Sequence, residues 1–446
     1  MLRCSIRGPT NYSNSDTIKA IFIHFINSLR MSRRKKNHIC VVGSGIVGIC
    51  TALHLIRKNW DVTIIDPNGP ASKASSGNAG LIAVGHVTPI SSPSILKEVP
   101  RMIVDPNSSL VIRYTYLPNL IPWLFRFVLA GRPKQYIKNC NSLSELLKET
   151  YSAYEPLINE ADCNDFMKRQ GLIVALTSDE ALEKIQPEIL LKKSLGIRIK
   201  IFDQKQIQNI LPKLDNSVRH AVYYEDVSHV TDPYKFSLRL FEDFKNKGGK
   251  FLHKKAQDFI TYKNRIKSIV IEDGEIQVDS IVICAGAWSK ILASKLGSNV
   301  PLETERGYSV SLPDPGIKLD YPVISGELRF CATPMGKSIR LAGTVELAKI
   351  DDPPNEKRYE LIIKHALKLF PSLKLSGASY WMGHRPSLPD SLPVIGRSPI
   401  FENGFFAFGH GHIGLTTAAA TGKLIYELAS DLETSIDLKP FSVDRF

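Results

Sequence analysis

Three glycines and one aspartate near the start of the chain are spaced in a pattern that suits contact with phosphate and ribose groups. They are Gly43, Gly45, Gly48 and Asp66. The first glycine allows a tight turn, the second lets the backbone approach a pyrophosphate, and the third lets a helix pack closely on a strand. Asp66 follows Gly43 by 23 residues, where a carboxylate can accept hydrogen bonds from ribose hydroxyls. The residues therefore predict a dinucleotide ligand, without indicating the reaction.

The flanking residues predict the elements that position this turn. An apolar run ends at Gly43 and reads as a strand, Ile46 and Val47 begin a predicted helix, and residues 62–65 read as a second strand that ends at Asp66. The N-terminus of such a helix offers free N–H groups and the positive end of its dipole to phosphates. The pattern is that of a βαβ unit, so we expect an α/β fold with a Rossmann-like domain.

Length and composition are those of a globular protein with two or three domains. The chain has 446 residues, of which 43% are hydrophobic and 23% charged. No apolar stretch reaches the roughly 20 residues that span a bilayer. Residues 1–38 hold eight Lys or Arg against one acid, and so carry +7 of the formal net charge of +13. The rest of the chain is only moderately basic, and no nucleic-acid partner is expected.

The basic segment 1–37 is predicted to be a disordered N-terminal extension. Two alternatives are an acid-poor presequence and a membrane-surface helix built on residues such as Phe22 and Phe25. We favour Met31 as the natural start, because the basic run after it leads directly into the first strand.

The seven cysteines are scattered and show no metal-ligand spacing, so no metal site is predicted. A reducing compartment fits them best, and we expect a cytoplasmic protein, with peripheral contact at the inner face of the membrane as an option that the basic surface favours weakly.

The loop after the second strand has the small residues expected of a loop that lies close to a ligand, and its candidate ligand-facing residues are Ser75, Ser76, Asn78, Ala79 and Gly80. Two further segments are also rich in small residues. A turn with Ala285 and Gly286 follows the apolar strand at 279–284, and a glycine-rich turn with Gly411, Gly414, Leu415 and Thr416 precedes the last helix. Elsewhere, residues 117–129 predict a helix whose Trp123, Leu124, Phe125 and Phe127 we expect in the core.

Taken in order, these motifs resemble the FAD-dependent amine and amino-acid oxidoreductases of the D-amino acid oxidase superfamily. The resemblance extends from residue 38 to about 430 and is greatest to the D-amino acid dehydrogenase branch, with the D-hydroxyproline dehydrogenases a close alternative. The segments that carry it are 43–48, 76–80, 122–127, 284–288, 383–386 and 409–416.

The resemblance implies a discontinuous domain organisation. An FAD-binding domain would be assembled from 38–87, 228–300 and 376–446. A sheet-based substrate domain would comprise 88–227 and 301–375, giving an α/β fold that is α+β overall. FAD is the implied cofactor, and the candidate residues for holding it are the glycine turn with Ile46, Val47 and Asp66 together with the three small-residue segments above.

The resemblance also implies where the substrate binds. Arg385 would clamp the substrate carboxylate, since a guanidinium donates two parallel hydrogen bonds to that group. The alternative is an arginine held by a salt bridge to Asp390. His412, His410 and His86 are further candidates for residues that face the substrate or the flavin, and His412 is favoured over His410.

The implied activity is oxidation of a D-amino acid, or of a cyclic or secondary amino acid such as D-hydroxyproline. Hydride would leave Cα for flavin N5, and the imine would hydrolyse to a 2-oxo acid and ammonia. The electron acceptor would be oxygen or a quinone. Two alternatives remain: a flavoprotein of this fold that oxidises a tRNA modification, and a non-catalytic FAD-binding assembly factor.

Overall fold

A computed structural model describes residues 37–94, 96 and 108–446, and all structural statements below concern these residues. The expectations for residues 1–36 lie outside them. The strands, in chain order, are β1 (His38–Val42), β2 (Asp61–Ile65), β3 (Leu81–Ile82), β4 (Leu110–Ile112), β5 (Met167–Lys168), β6 (Leu172–Leu176), β7 (Ile199–Asp203), β8 (His220–Tyr224), β9 (Ser228–Val230), β10 (Lys250–Leu252), β11 (Asp258–Tyr262), β12 (Arg265–Ile271), β13 (Gly274–Gln277), β14 (Ser280–Ile283), β15 (Glu303–Leu312), β16 (Val323–Ser325), β17 (Phe330–Met335), β18 (Ser338–Leu347), β19 (Ser379–Ser387), β20 (Val394–Arg397) and β21 (Gly404–Phe408). The helices are α1 (Ile46–Ile56), α2 (Leu117–Ala130), α3 (Pro133–Lys148), α4 (Thr150–Glu160), α5 (Asp179–Ser194), α6 (Gln204–Ile210), α7 (Pro233–Asn246), α8 (Ser289–Lys295), α9 (Lys357–Leu369) and α10 (Gly414–Ala429).

The predicted βαβ unit is formed by β1, α1 and β2. The two strands are parallel, and His38 lies opposite Asp61. Nearly every residue of both strands is buried, as expected for parallel strands covered on both faces. The strands belong to a six-stranded sheet in the order β10-β2-β1-β14-β21-β20, in which only β20 runs antiparallel. The structure thus confirms the α/β fold.

A second large sheet has nine strands and is mixed. Its order is β19-β15-β18-β17-β16-β6-β8-β7, with β4 paired to β18. Apolar residues of α9, such as Ile362 and Leu369, pack against residues of β15 and β18 such as Val310 and Leu341, so this helix covers one face of the sheet. Two further three-stranded sheets, β11-β12-β13 and β3-β9-β5, complete the pairing among the described strands.

The strands of the two large sheets alternate along the chain. The six-stranded sheet takes its strands from three separate stretches, 38–65, 250–283 and 394–408, and the nine-stranded sheet takes its strands from the stretches between them. The exact domain boundaries given above stay a prediction.

The prediction that Phe125 lies in the core is wrong. Its side chain is 65% exposed, whereas Trp123 and Phe127 are buried and stacked with ring centroids 5.1 Å apart. Positions 123 and 127 are one turn apart on the same face of α2, while position 125 points to the opposite face. The helix has apolar residues on both faces, and within the described ranges only the face of Trp123 and Phe127 is buried.

No helix in the described ranges is both long enough and apolar enough to cross a lipid bilayer.

Candidate functional site

A cavity of about 1240 Å³ extends between the carboxyl ends of β1 and β14 and the strands β15, β18 and β19 of the second sheet. The predicted cofactor-binding residues that line it are Gly43, Gly45, Ile46, Val47, Asp66, Ser75, Asn78, Ala79, Gly80, Ala285, Gly286, Gly411, Gly414 and Leu415. The volume exceeds the range of pockets for drug-sized ligands, which suits a dinucleotide together with a small substrate.

The glycine turn has the conformation that its sequence predicts. Gly43 has φ of +113°, and a Cβ there would lie 2.4 Å from the carbonyl oxygen of Cys284, so only glycine fits. A Cβ on Gly48 would lie 2.0 Å from the carbonyl oxygen of Gly43, which places this glycine beneath the turn and not on the cavity wall. A Cβ on Gly45, in contrast, would meet only the hydroxyl of Ser75, at 3.4 Å. The backbone around Gly45 is therefore open to a phosphate.

Asp66 is oriented by two backbone donors. The N–H of Ser44 donates to Oδ2 over 2.9 Å, and the N–H of Asn68 donates to Oδ1 over 2.7 Å. Each carboxylate oxygen can accept a second hydrogen bond. The carboxylate at the end of β2 therefore keeps free acceptor positions at the cavity that Asp66 lines, and its role toward ribose stays a prediction.

The loop that contains Ser75 to Gly80 is fixed by its own side chains and by the second sheet. The hydroxyl of Ser75 accepts from the N–H of Ile46 at the start of α1 over 2.9 Å. The Asn78 side chain donates to Ser75 O and accepts from Gly80 N, both over 2.9 Å. Arg340 of β18 donates to the carbonyl oxygen of Asn78 over 3.0 Å. The loop therefore joins the two large sheets along the cavity.

Gly48, Ser76 and Thr416, also predicted to contact the cofactor, do not line the cavity. The hydroxyl of Ser76 donates to Lys73 O over 2.9 Å within the loop. The hydroxyl of Thr416 accepts from Ala83 N over 3.0 Å and so ties the start of α10 to the segment after β3. These residues support the cavity wall from behind.

Arg385 lies on β19 and lines the cavity. Its guanidinium donates to the carbonyl oxygen of Thr344 over 3.3 Å and lies over Gly307, where a Cβ would come within 2.2 Å of the guanidinium carbon. Asp390, the alternative partner, pairs instead with Arg445 over 2.8 Å. Within the described residues no carboxylate lies within 4 Å of Arg385, so its charge is available to a ligand.

Sequence reasoning missed Thr344. This residue of β18 has φ of +56°, a conformation that is strained for a β-branched side chain. It is the extra residue of a β-bulge opposite Gly307 and Tyr308, and the bulge turns its carbonyl toward Arg385. The Thr344 hydroxyl is buried without a hydrogen-bond partner. No local sequence signal marks a bulge that depends on pairing with a distant strand.

Sequence reasoning also missed Glu305. It lies directly opposite Arg385 in the β15–β19 pairing and lines the cavity. Ser387 donates to its Oε1 over 2.7 Å, whereas Oε2 is buried and has no hydrogen-bond partner. Burial raises the pKa of Glu305. Two acids close together in the segment before Gly307 were the signal that could have drawn attention to it.

The three candidate histidines have different surroundings. His412 lines the cavity with its Nε2 atom 3.6 Å from Glu305 Oε2. Desolvation in the cavity and the nearby charge of Arg385 lower the pKa of His412 below its usual value. His86 also lines the cavity, and burial lowers its pKa to about 4. His410 lines the cavity too, but it is only 3% exposed, and its Nε2 is hydrogen-bonded to the Thr421 hydroxyl over 2.9 Å.

The last helix begins beside the cavity. A short 3-10 turn, Gly411–Ile413, leads into α10 at Gly414. Gly411 and Gly414 both line the cavity, so the positive end of the α10 dipole faces it. No group of three or more His, Cys, Asp or Glu side chains that could hold a metal ion occurs in the part of the chain that the structure describes.

Comparisons with known proteins agree with this geometry. The family model described as "DAO: FAD dependent oxidoreductase" matches residues 38–428. A D-amino-acid oxidase of Bradyrhizobium diazoefficiens is 34% identical over 416 residues, which are 92% of this chain and 99% of that protein. A D-amino acid dehydrogenase of Vibrio atlanticus is 27% identical over 416 residues, with the same coverage of both chains.

Solved structures show the same fold. Glycine oxidase from Geobacillus kaustophilus superposes with a TM-score of 0.72 at 19% identity, over 92% of this chain and 100% of that one. L-proline dehydrogenase from P. horikoshii superposes with a TM-score of 0.71 at 20% identity, over 92% of this chain and 98% of that one. Together with the glycine cradle, the oriented Asp66 and the size of the cavity, the family match leads to one conclusion: the chain belongs to the DAO family of FAD-dependent oxidoreductases.

Proposed function

We propose that the protein catalyses FAD-dependent oxidative deamination of a D-amino acid, or oxidation of a cyclic or secondary amino acid such as D-hydroxyproline. The names of the relatives at 34% and 27% identity support the D-amino acid class. The observation that carries the proposal is the half-buried guanidinium of Arg385, which lines the cavity and forms no salt bridge within 4 Å among the described residues.

Arg385 is the residue that would bind the substrate carboxylate. A half-buried guanidinium that has no salt bridge gains stability when a ligand supplies the opposite charge. A carboxylate can accept two parallel hydrogen bonds from it, which fixes both the position and the orientation of the substrate. The backbone of Thr344 is strained, and its carbonyl oxygen accepts a hydrogen bond from one guanidinium nitrogen, which holds that nitrogen in place.

His412 and His86 would line the substrate's side of the cavity as neutral rings. A neutral imidazole offers one donor and one acceptor without adding positive charge beside Arg385. We place His410 behind them, where its bond to Thr421 anchors the turn before α10.

The cofactor would be held by the Gly43–Gly48 turn, Asp66 and the Gly411–Leu415 segment. When bound, FAD supplies an acceptor for the hydride that leaves the substrate Cα. The contribution of this chain is to fix the substrate at Arg385 and to orient its Cα–H bond, which accounts for rate enhancement through positioning. The tRNA-modification alternative rests on the basic residues before 37, which lie outside the described residues.

The direct test is anaerobic bleaching of the flavin absorbance by a panel of D-amino acids, proline derivatives and N-methylglycine. Reduction by at least one member at catalytic rates is the expected result. Failure of every member, with FAD bound at full occupancy, would contradict the proposed function.

Two further experiments test the predicted partners. Reoxidation of the reduced protein by oxygen and by a soluble quinone would identify the electron acceptor. Sedimentation with anionic vesicles would test the proposed peripheral membrane contact.

Two variants test the role of Arg385. Arg385→Ala should raise KM by about 100-fold or more while FAD stays bound, because a charged hydrogen-bonded pair is lost. Gly307→Ala should raise KM by displacing the guanidinium, since the new Cβ occupies its position. Gly396→Ala is the matched control, because its Cβ would meet only Ser442 Cα at 3.9 Å. An unchanged KM in Arg385→Ala would show that the assignment is wrong.

A further inference from the structure

Glu305 presents a buried negative group on the same cavity wall as Arg385. The two residues are direct partners in antiparallel strands, so their side chains lie on the same face of the sheet. Only 6% of the Glu305 side chain is accessible. A buried carboxylate oxygen without a hydrogen-bond donor is rare, and its cost implies that a ligand provides the donor.

No neighbouring residue satisfies Oε2 of Glu305. Arg385 lies more than 4 Å away, because its guanidinium leans over Gly307 toward Thr344. The nearest charged or titratable group on another element is His412, whose Nε2 at 3.6 Å is beyond hydrogen-bond distance, and His86 lies next to His412. On β18 the partner of Glu305 is the apolar Leu347.

The guanidinium of Arg385 and the carboxylate of Glu305 therefore place a positive and a negative charge in the same site. An α-amino acid carries the complementary charges, with its carboxylate and its amino group on the same carbon. We propose that Glu305 binds the amino group of the substrate and accepts the proton that this group must lose before oxidation. The inference rests on the proposed function, and it extends that function by assigning the residue that selects an amine.

The proton transfer balances within the site. The substrate R–NH3⁺ gives a proton to the Glu305 carboxylate, which leaves R–NH2 and a protonated carboxyl. The N–H bond breaks, the O–H bond forms, and the nitrogen lone pair becomes available to form the C=N bond as hydride leaves Cα. The raised pKa of Glu305 makes the carboxylate a better proton acceptor than an exposed glutamate.

The assignment has a consequence for specificity. An acid that has no donor group on Cα, such as a simple alkanoate, would bind to Arg385 but leave Glu305 Oε2 without a hydrogen bond. We therefore expect such acids to act as inhibitors and not as substrates.

The test is the pH profile of Glu305→Gln, which keeps the shape of the side chain and removes its charge. At neutral pH, kcat/KM should fall by about 100-fold. The loss should shrink as the pH rises toward the pKa of the substrate's own amine, because the free amine no longer needs a proton acceptor. Glu303→Gln is the matched control, since this carboxylate on the same strand is paired with Lys290 over 2.7 Å and does not line the cavity.

Equilibrium binding gives a readout that is independent of turnover. An alkanoate without an amine should bind to Glu305→Gln as tightly as to the wild type, or more tightly, whereas an amine-bearing inhibitor should bind about tenfold or more weakly. Equal losses for both ligands, or a pH profile parallel to that of the wild type, would overturn the inference. If the wild type is not reduced by any amino acid, the proposed function itself fails; if it is reduced and the variant behaves like Glu303→Gln, only the role of Glu305 is wrong.

Discussion

His410 lies at the wall of the cavity but is almost completely buried. Its ring is bonded to Thr421, and burial lowers its pKa to about 3. In the unfolded chain the same histidine has a pKa of about 6.5. Below that pH the unfolded state binds a proton that the folded state does not bind, so stability falls as the pH decreases from about 6.5 toward 3.

We predict that, below about pH 6.5, the free energy of unfolding of His410→Gln depends less on pH than that of the wild type. At pH 5 the wild-type histidine costs up to about 2 kcal/mol relative to pH 7, and the variant does not have this cost. The measurement is the change in denaturant midpoint between pH 7 and pH 5 for both proteins, with His253→Gln on the surface as the control. An identical pH dependence in all three would show that His410 is protonated in the folded state.

At the scale of elements, α2 has apolar residues on two faces, and within the described part of the chain only one of these faces is buried. Leu120 is fully buried on the covered face, where it packs with Trp123 and Phe127, whereas Phe125 stands on the other face. A sequence pattern that is apolar on both faces does not reveal which face is covered, and the prediction for Phe125 failed for this reason.

The two faces should respond differently to the same kind of truncation. Leu120→Ala should lower the free energy of unfolding by about 2–5 kcal/mol, because it leaves a cavity in the core. Phe125→Ala should change it by less than about 0.5 kcal/mol. Chemical denaturation of both variants checks this, and a large loss in Phe125→Ala would mean that its face of α2 is covered in solution.

Elements set by local sequence were the predictable ones. The unit β1–α1–β2 follows from apolar periodicity and glycine spacing within 30 residues, and Asp66 falls at its end for the same reason. Sequence reasoning did not identify Glu305 and Thr344 as site residues, because only the pairing between strands brings them to the cavity. Residues 305 and 385 become neighbours through a register that spans 80 positions, and no local pattern encodes such a register.

At the scale of the whole molecule, the cavity wall is built from segments far apart in the chain. Gly43 and Leu415 both line it, and so do residues of the second sheet such as Thr344. A ligand that contacts all of these binds only the folded chain, and its binding free energy therefore adds to the free energy of unfolding.

We predict that FAD raises the thermal midpoint in a concentration-dependent way. The stabilisation should reach about 2.7 kcal/mol when free FAD is at 100 times its Kd. Gly45→Val should retain the midpoint of the FAD-free protein, because a Cβ at this position meets only the Ser75 hydroxyl at 3.4 Å, and should lose the rise with FAD. A rise of equal size in the variant would place the phosphates elsewhere.

The position of β21 and the Gly411–Leu415 segment also has a consequence for biosynthesis. β21 pairs with β14 and the segment closes the cavity, yet both come from the last 45 residues of the chain. While the ribosome is still translating, β14 lacks its neighbour on one side and the cavity lacks one of its walls. A cofactor in this cavity can be enclosed only after residue 415 has emerged, so until then a nascent chain must avoid aggregation with an incomplete sheet.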